Sequence, residues 1–162
     1  MNAYPVDIPF YSSHYEPGVS SLSQEVSTYI WRIRNHVSQT ISLGWRETLN
    51  QQLMDVYSRC IEENWDGYDA IAINRSAIYA ALIFIELLPD GIRVPEIVPE
   101  PTGEIGFEWT NGKYATFVAS VNPQIITFAG LFGSGKNHGE VKFLNTLPSI
   151  IEKILLDYFV LS

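Results

Sequence analysis

A chain of 162 residues is the size of one ordinary domain, and 46% apolar against 17% charged residues is a globular rather than a disordered composition. A formal net charge of −8 argues against a binder of nucleic-acid backbones, which needs a basic face. Aromatic residues make up 13%, and Tyr and Trp beyond the needs of a core often line interfaces or pockets.

Cys60 is the one cysteine, which rules out an intramolecular disulfide or a cysteine-based metal cluster; its place in a helical pattern marks it as a small buried hydrophobe. The first residues, Met1 to Asp7, have neither a basic start nor an apolar run, so no signal peptide is read there. The longest apolar stretch, Ala77 to Leu88, is too short to span a bilayer. A cytoplasmic setting is therefore expected, with no membrane partner.

Residues 1–20 contain Pro5, Pro9, Pro17 and Gly18 among Tyr4, Phe10, Tyr11 and Tyr15, and prolines this dense exclude a regular helix. They read as an irregular aromatic-rich arm, followed by one domain over 21–162. Ser21 and Gln24 fit a capping box, and Val26, Tyr29, Ile30, Ile33, Val37 and Ile41 then recur at helical spacing. A second helix runs from about Trp45 to Glu63. Leu49, Leu53, Val56 and Cys60 face inward, while Arg46, Glu47, Gln51, Gln52, Arg59 and Glu62 take the solvent side.

Glu62 to Tyr68 closes that pattern with a dense polar and aromatic cluster. Asp66 can accept from backbone N–H groups of a turn that Gly67 permits, and Trp65 can bury its ring while donating its indole N–H. Asn74 or Ser76 caps a third helix that reaches Leu88. Ile78, Ala81, Leu82, Ile85 and Leu88 form its stripe, and Pro89-Asp90-Gly91 stops it. Because that helix is apolar almost all round, it should be central.

The pattern then changes to period two. Arg93 to Val98, flanked by Pro95 and Pro99, reads as an edge strand or an extended lead-in. From Glu104 to Trp109, Ile105, Phe107 and Trp109 share one face, and Glu104, Gly106 and Glu108 the other. Asn111-Gly112 predicts a two-residue hairpin turn into a strand over Tyr114 to Val121. Asn122-Pro123 leads to a strand over Gln124 to Ala129, and a glycine-rich loop to another over Glu140 to Leu144. Thr146 or Asn145 caps a last helix, with Pro148 in its first turn. Its apolar stripe is Leu147, Ile150, Ile151, Ile154, Leu155, Tyr158 and Phe159. Helices first and strands later predict an α+β fold, an antiparallel meander of four to five strands with the C-terminal amphipathic helix packed on it.

Gly130 to Lys136 matches the phosphate-loop spacing G-x-x-x-x-G-K. Asn137 stands where a magnesium-binding hydroxyl belongs, and a strand rather than a helix follows, so nucleotide binding is the disfavoured reading. Asp66, Glu104 and Glu108 are the weak candidates for carboxylate chemistry of a hydrolytic kind, set against the ordinary role of glutamates on a solvated strand. His14, His36 and His138 lack ligand spacing, so no metal or cofactor is expected.

Asn64-Trp65-Asp66-Gly67-Tyr68-Asp69-Ala70, Leu87-Leu88-Pro89 and Gly103-Glu104-Ile105-Gly106-Phe107-Glu108-Trp109 together resemble the N-W-D-G-Y, L-P and G-E-I-x-x-E-W segments of a group of small bacterial and phage-borne proteins. The likeness covers about residues 55–125. Position 69 departs from it, because glycine is common there. The group carries no assigned activity; the resemblance implies only that Trp65, Asp66, Glu104, Glu108 and Trp109 converge. The expected function is a non-enzymatic binding or regulatory module acting on another protein. It would act through its aromatic arm or the exposed sheet face, with Trp65, Asp66, Tyr68, Glu108 and Trp109 as candidate contact residues; the arm and an uncovered sheet face also invite self-association.

Overall fold

The computed structural model describes residues 44–161; the expected arm over 1–20 and the helix expected from Ser21 lie outside the described residues. Helix α1 spans Gly44–Arg59 and α2 spans Arg75–Leu87. Five strands follow: β1 Glu96–Pro99, β2 Ile105–Asn111, β3 Ala115–Val121, β4 Ile125–Phe132 and β5 Gly135–Lys142. They form one sheet in the order β1-β2-β3-β4-β5, each pair antiparallel, and α3 (Ser149–Tyr158) closes the chain. The α+β meander with a C-terminal helix is the architecture that the change of period implies.

Helix α2 is the central element, as its composition demands. Asn74 caps it, its Oδ1 accepting from the Ala77 N–H at 2.7 Å, and eight of its residues are buried. Phe84 meets Phe107 at a ring separation of 4.9 Å, and Trp109 and Phe143 edge-on at 6.4 and 6.3 Å. Phe117, Phe128 and Phe132 continue this aromatic layer across β3 and β4, and Phe159 at the end of α3 joins it. Each such pair contributes about 0.5–1.5 kcal/mol beyond its buried area. Trp109, 1% exposed, donates its indole N–H to the Arg93 carbonyl at 3.0 Å. A residue considered for ligand contact is thereby an anchor of the core.

Several boundaries differ from expectation. Helix α1 stops at Arg59 rather than near Glu63, and the Cys60 N–H bonds to the Val56 and Tyr57 carbonyls as the helix ends. Arg46, expected in solvent, is 6% exposed, and Asn50 on the same side of α1 is 8% exposed. Arg46 donates to the Leu88 carbonyl and the Asp90 carboxylate, both at 2.6 Å, so it caps the C-terminal end of α2. The Asn111-Gly112 hairpin is longer than two residues: Asn111 pairs with Ala115, leaving Gly112, Lys113 and Tyr114 as the loop. Only Gly112 of the two central residues expected there has positive φ, at +61°. Helix α3 begins at Ser149 with Pro148 as its cap residue and no side-chain capping bond; Asn145, at φ +56°, belongs to the loop before it.

The glycine-rich segment is a hairpin. Phe132 pairs with Gly135, leaving Gly133-Ser134 as a two-residue turn with positive φ only at Gly133, as a type II′ turn requires. Gly130 is buried in β4; a Cβ there would lie 2.5 Å from the Phe132 ring and 3.2 Å from Phe117. The first glycine of the phosphate-loop pattern is therefore a packing requirement. Among the described residues, no helix is long and apolar enough to cross a membrane.

Candidate functional site

The connection between α1 and α2 is tied by side chains that imitate backbone partners. Asn64, at φ +61°, donates its N–H to the Ala70 carbonyl at 2.7 Å, and its Oδ1 accepts from the Asp69 N–H at 2.9 Å. Asp66 Oδ1 accepts from the N–H groups of Tyr68 at 2.7 Å and Ala70 at 3.1 Å, across the bend that Gly67 allows at φ +78°. Trp65 packs half-buried against the core, and its indole N–H reaches the Ile71 carbonyl at 3.0 Å. Tyr68 at the tip is 88% exposed. These are the turn and packing roles that residue chemistry suggests for the segment.

The turn between β1 and β2 abuts this junction. The Ile71 N–H donates to the Pro101 carbonyl at 2.8 Å, and Gly103 lies against Ile71 and Ala72 so closely that a Cβ would sit 3.0 Å from the Ala72 oxygen. The junction thus docks on the start of the Glu104–Trp109 segment through backbone, while Asp66 and Glu104 have separate partners. Glu104 accepts from the Asn122 amide at 2.7 Å and from Thr102 Oγ1 at 3.4 Å. Asp66 is committed to its turn. Glu108 borders a shallow depression of about 350 Å³ lined by Arg93, Val94, Glu96, Thr110 and Leu161, which includes neither Asp66 nor Glu104.

Two residues absent from the expected set complete the polar arrangement. Glu100 reaches over Gly106, where a Cβ would lie 2.6 Å from its Oε1, and accepts from Ser120 Oγ at 3.0 Å. Asn122 bonds Glu104 with its amide while its Oδ1 accepts from the N–H groups of Gln124 and Ile125 at 3.0 and 2.9 Å. The signal for the first was Gly106, an interior strand glycine that marks the close approach of another group.

Glu100, Glu104, Glu108 and Asn122 border the side of the sheet turned away from the helices. Its central rows read Glu96–Glu108–Val118–Ala129–His138 and Val98–Gly106–Ser120–Thr127–Glu140. Thr127, Ala129, Leu131, Lys136, His138 and Glu140 are exposed, and Thr116, Val118 and Ser120 half-exposed. Glutamates gather at the β1–β2 side, and Lys136 and Lys142 lie on β5 at the other. Glu96 stands directly opposite Glu108, a like-charge pair, and Arg93 lines the same depression beside them.

At the far tip of β3–β5, Lys113, Tyr114, Leu131, Ser134 and Lys136 surround a second depression of about 160 Å³. Its backbone amides from 135 onward belong to a hairpin strand, and none of its lining residues is helical. Among the described residues, no group of three or more His, Cys, Asp or Glu side chains is placed to hold a metal ion. Burial raises the Cys60 thiol pKa above its ordinary value, opposed in part by Arg59, which makes it a poor nucleophile. No protein-family model, curated protein or solved structure matches the chain.

Proposed function

We propose that the protein is a non-enzymatic binding module that engages another protein through the open face of its sheet. The observation that carries this reading is a five-stranded sheet with its helices on one side and, among the described residues, no element covering the other. Val98, Val118 and Leu131 supply half-exposed to exposed apolar area there, set among Thr, Ser and charged residues. A face of this mixed composition, with single apolar side chains set among polar ones, is about as apolar as the surfaces by which stable partners associate and dissociate. The engagement of Asp66 and Glu104 with turn amides and the Asn122 side chain further supports binding over carboxylate catalysis.

A photo-crosslinking residue placed at Val118, and in a second protein at exposed Ser58 on α1, tests the reading in cells. The Val118 position should yield one discrete protein adduct that the Ser58 position does not, and Val118→Arg should abolish capture of that same protein. Equal labelling from both positions, or none from Val118, would overturn it.

A further inference from the structure

The outer edge of β5 ends the sheet, and among the described residues no strand pairs with it. Its hydrogen-bonding direction follows from its inner partner. Ile125 pairs with Lys142, which sets Gln124 opposite Phe143, and the Phe143 N–H donates to the Gln124 carbonyl at 2.8 Å. Alternation along the strand turns the backbone groups of Gly135, Asn137, Gly139 and Val141 toward β4. Those of Lys136, His138, Glu140 and Lys142 therefore face outward. The side chains of the same four residues are exposed on the open face. Eight residues without a proline make a long template for pairing with a further strand.

We propose that β5 pairs antiparallel with β5 of a second copy of this chain, about a two-fold axis through His138, so that two sheets join edge to edge. Charge selects both the occupant and the register. With the axis at His138, Lys136 lies opposite the partner's Glu140, and Glu140 opposite the partner's Lys136. Cross-strand pairs of opposite charge stabilise such a ladder, and like charges directly opposite destabilise it. Moving the axis to Gly139 sets Lys136 against the partner's Lys142, twice by symmetry. Moving it to Glu140 sets Glu140 against the partner's Glu140 and His138 against the partner's Lys142. The His138-centred register also aligns outward-facing residues with outward-facing residues, so each opposed pair exchanges both of its backbone hydrogen bonds. An isologous contact of this kind closes after two copies.

The full chain, examined by analytical ultracentrifugation from 1 to 200 micromolar at neutral pH and moderate salt, should sediment as a reversible dimer. Glu140→Lys, which sets lysine against lysine, should convert it to a monomer, and adding Lys136→Glu should restore the dimer. His138→Pro removes only an N–H that points to the free edge and should also give a folded monomer, checked by its circular dichroism. A wild-type chain that stays monomeric throughout the range overturns the proposal. So does a dimer that survives both Glu140→Lys and His138→Pro, or a folded charge-swapped protein that stays monomeric.

Discussion

At the scale of single residues, the junction shows how a short loop is held by side chains that accept from its own backbone. Asp66 satisfies two N–H groups, so Asp66→Ala removes a charged acceptor from both and should cost about 2 kcal/mol, read in chemical denaturation. Asp69, at φ +65°, lies where a side chain is disfavoured and glycine is not. Asp69→Gly should therefore be about 1 kcal/mol more stable than Asp69→Ala by the same measurement. Asn50 is buried on α1, and among the described residues neither end of its amide has a hydrogen-bond partner. Asn50→Leu should raise the melting temperature, because an unsatisfied buried amide costs about 1–3 kcal/mol. A melting temperature unchanged or lowered by that substitution would show that the amide is satisfied in solution.

At the scale of elements, polar residues bury where they join one element to the next. Arg46 shares a helix face with Leu49, Asn50 and Leu53 at i, i+3, i+4, i+7 spacing, but its charge placed it with the solvent side. The open carbonyl at the end of α2 decided the matter by giving the guanidinium a partner. Arg46→Met keeps much of the packing and loses that bond; it should destabilise by about 2 kcal/mol in thermal or urea unfolding. Gly130 makes the corresponding point for the sheet. Gly130→Ala must displace a Phe132 ring stacked 4.3 Å from Tyr158 and should cost about 1–3 kcal/mol of overpacking. Unchanged stability would show that the Phe132 ring yields to the added Cβ without cost.

At the scale of the whole molecule, the open face and the β5 edge are surfaces that no other element covers among the described residues. The two proposals make separable use of them. Val118→Arg should abolish partner capture while leaving the sedimentation of the chain unchanged, because Val118 lies on the face two strands in from the β5 edge. Glu140→Lys should change sedimentation first.

The helix and strand content, the central place of α2, the packing face of β2 and the turn chemistry of Asp66 with Gly67 were determined by the sequence itself. They depend on periods of 3.6 and 2, and on bonds between residues a few positions apart. Tertiary structure alone decided that Arg46 is buried, that Gly130 and Gly106 make room for Phe132 and Glu100, that Asp66 and Glu104 find separate partners, and that Glu108 borders a depression containing neither. It also decided that β5 begins at Gly135, within the glycine-rich motif, and forms a charged edge of the sheet that is unpaired among the described residues. Each of those outcomes depends on contacts between distant parts of the chain, where the available partner rather than the residue's own preference sets the free energy of burial.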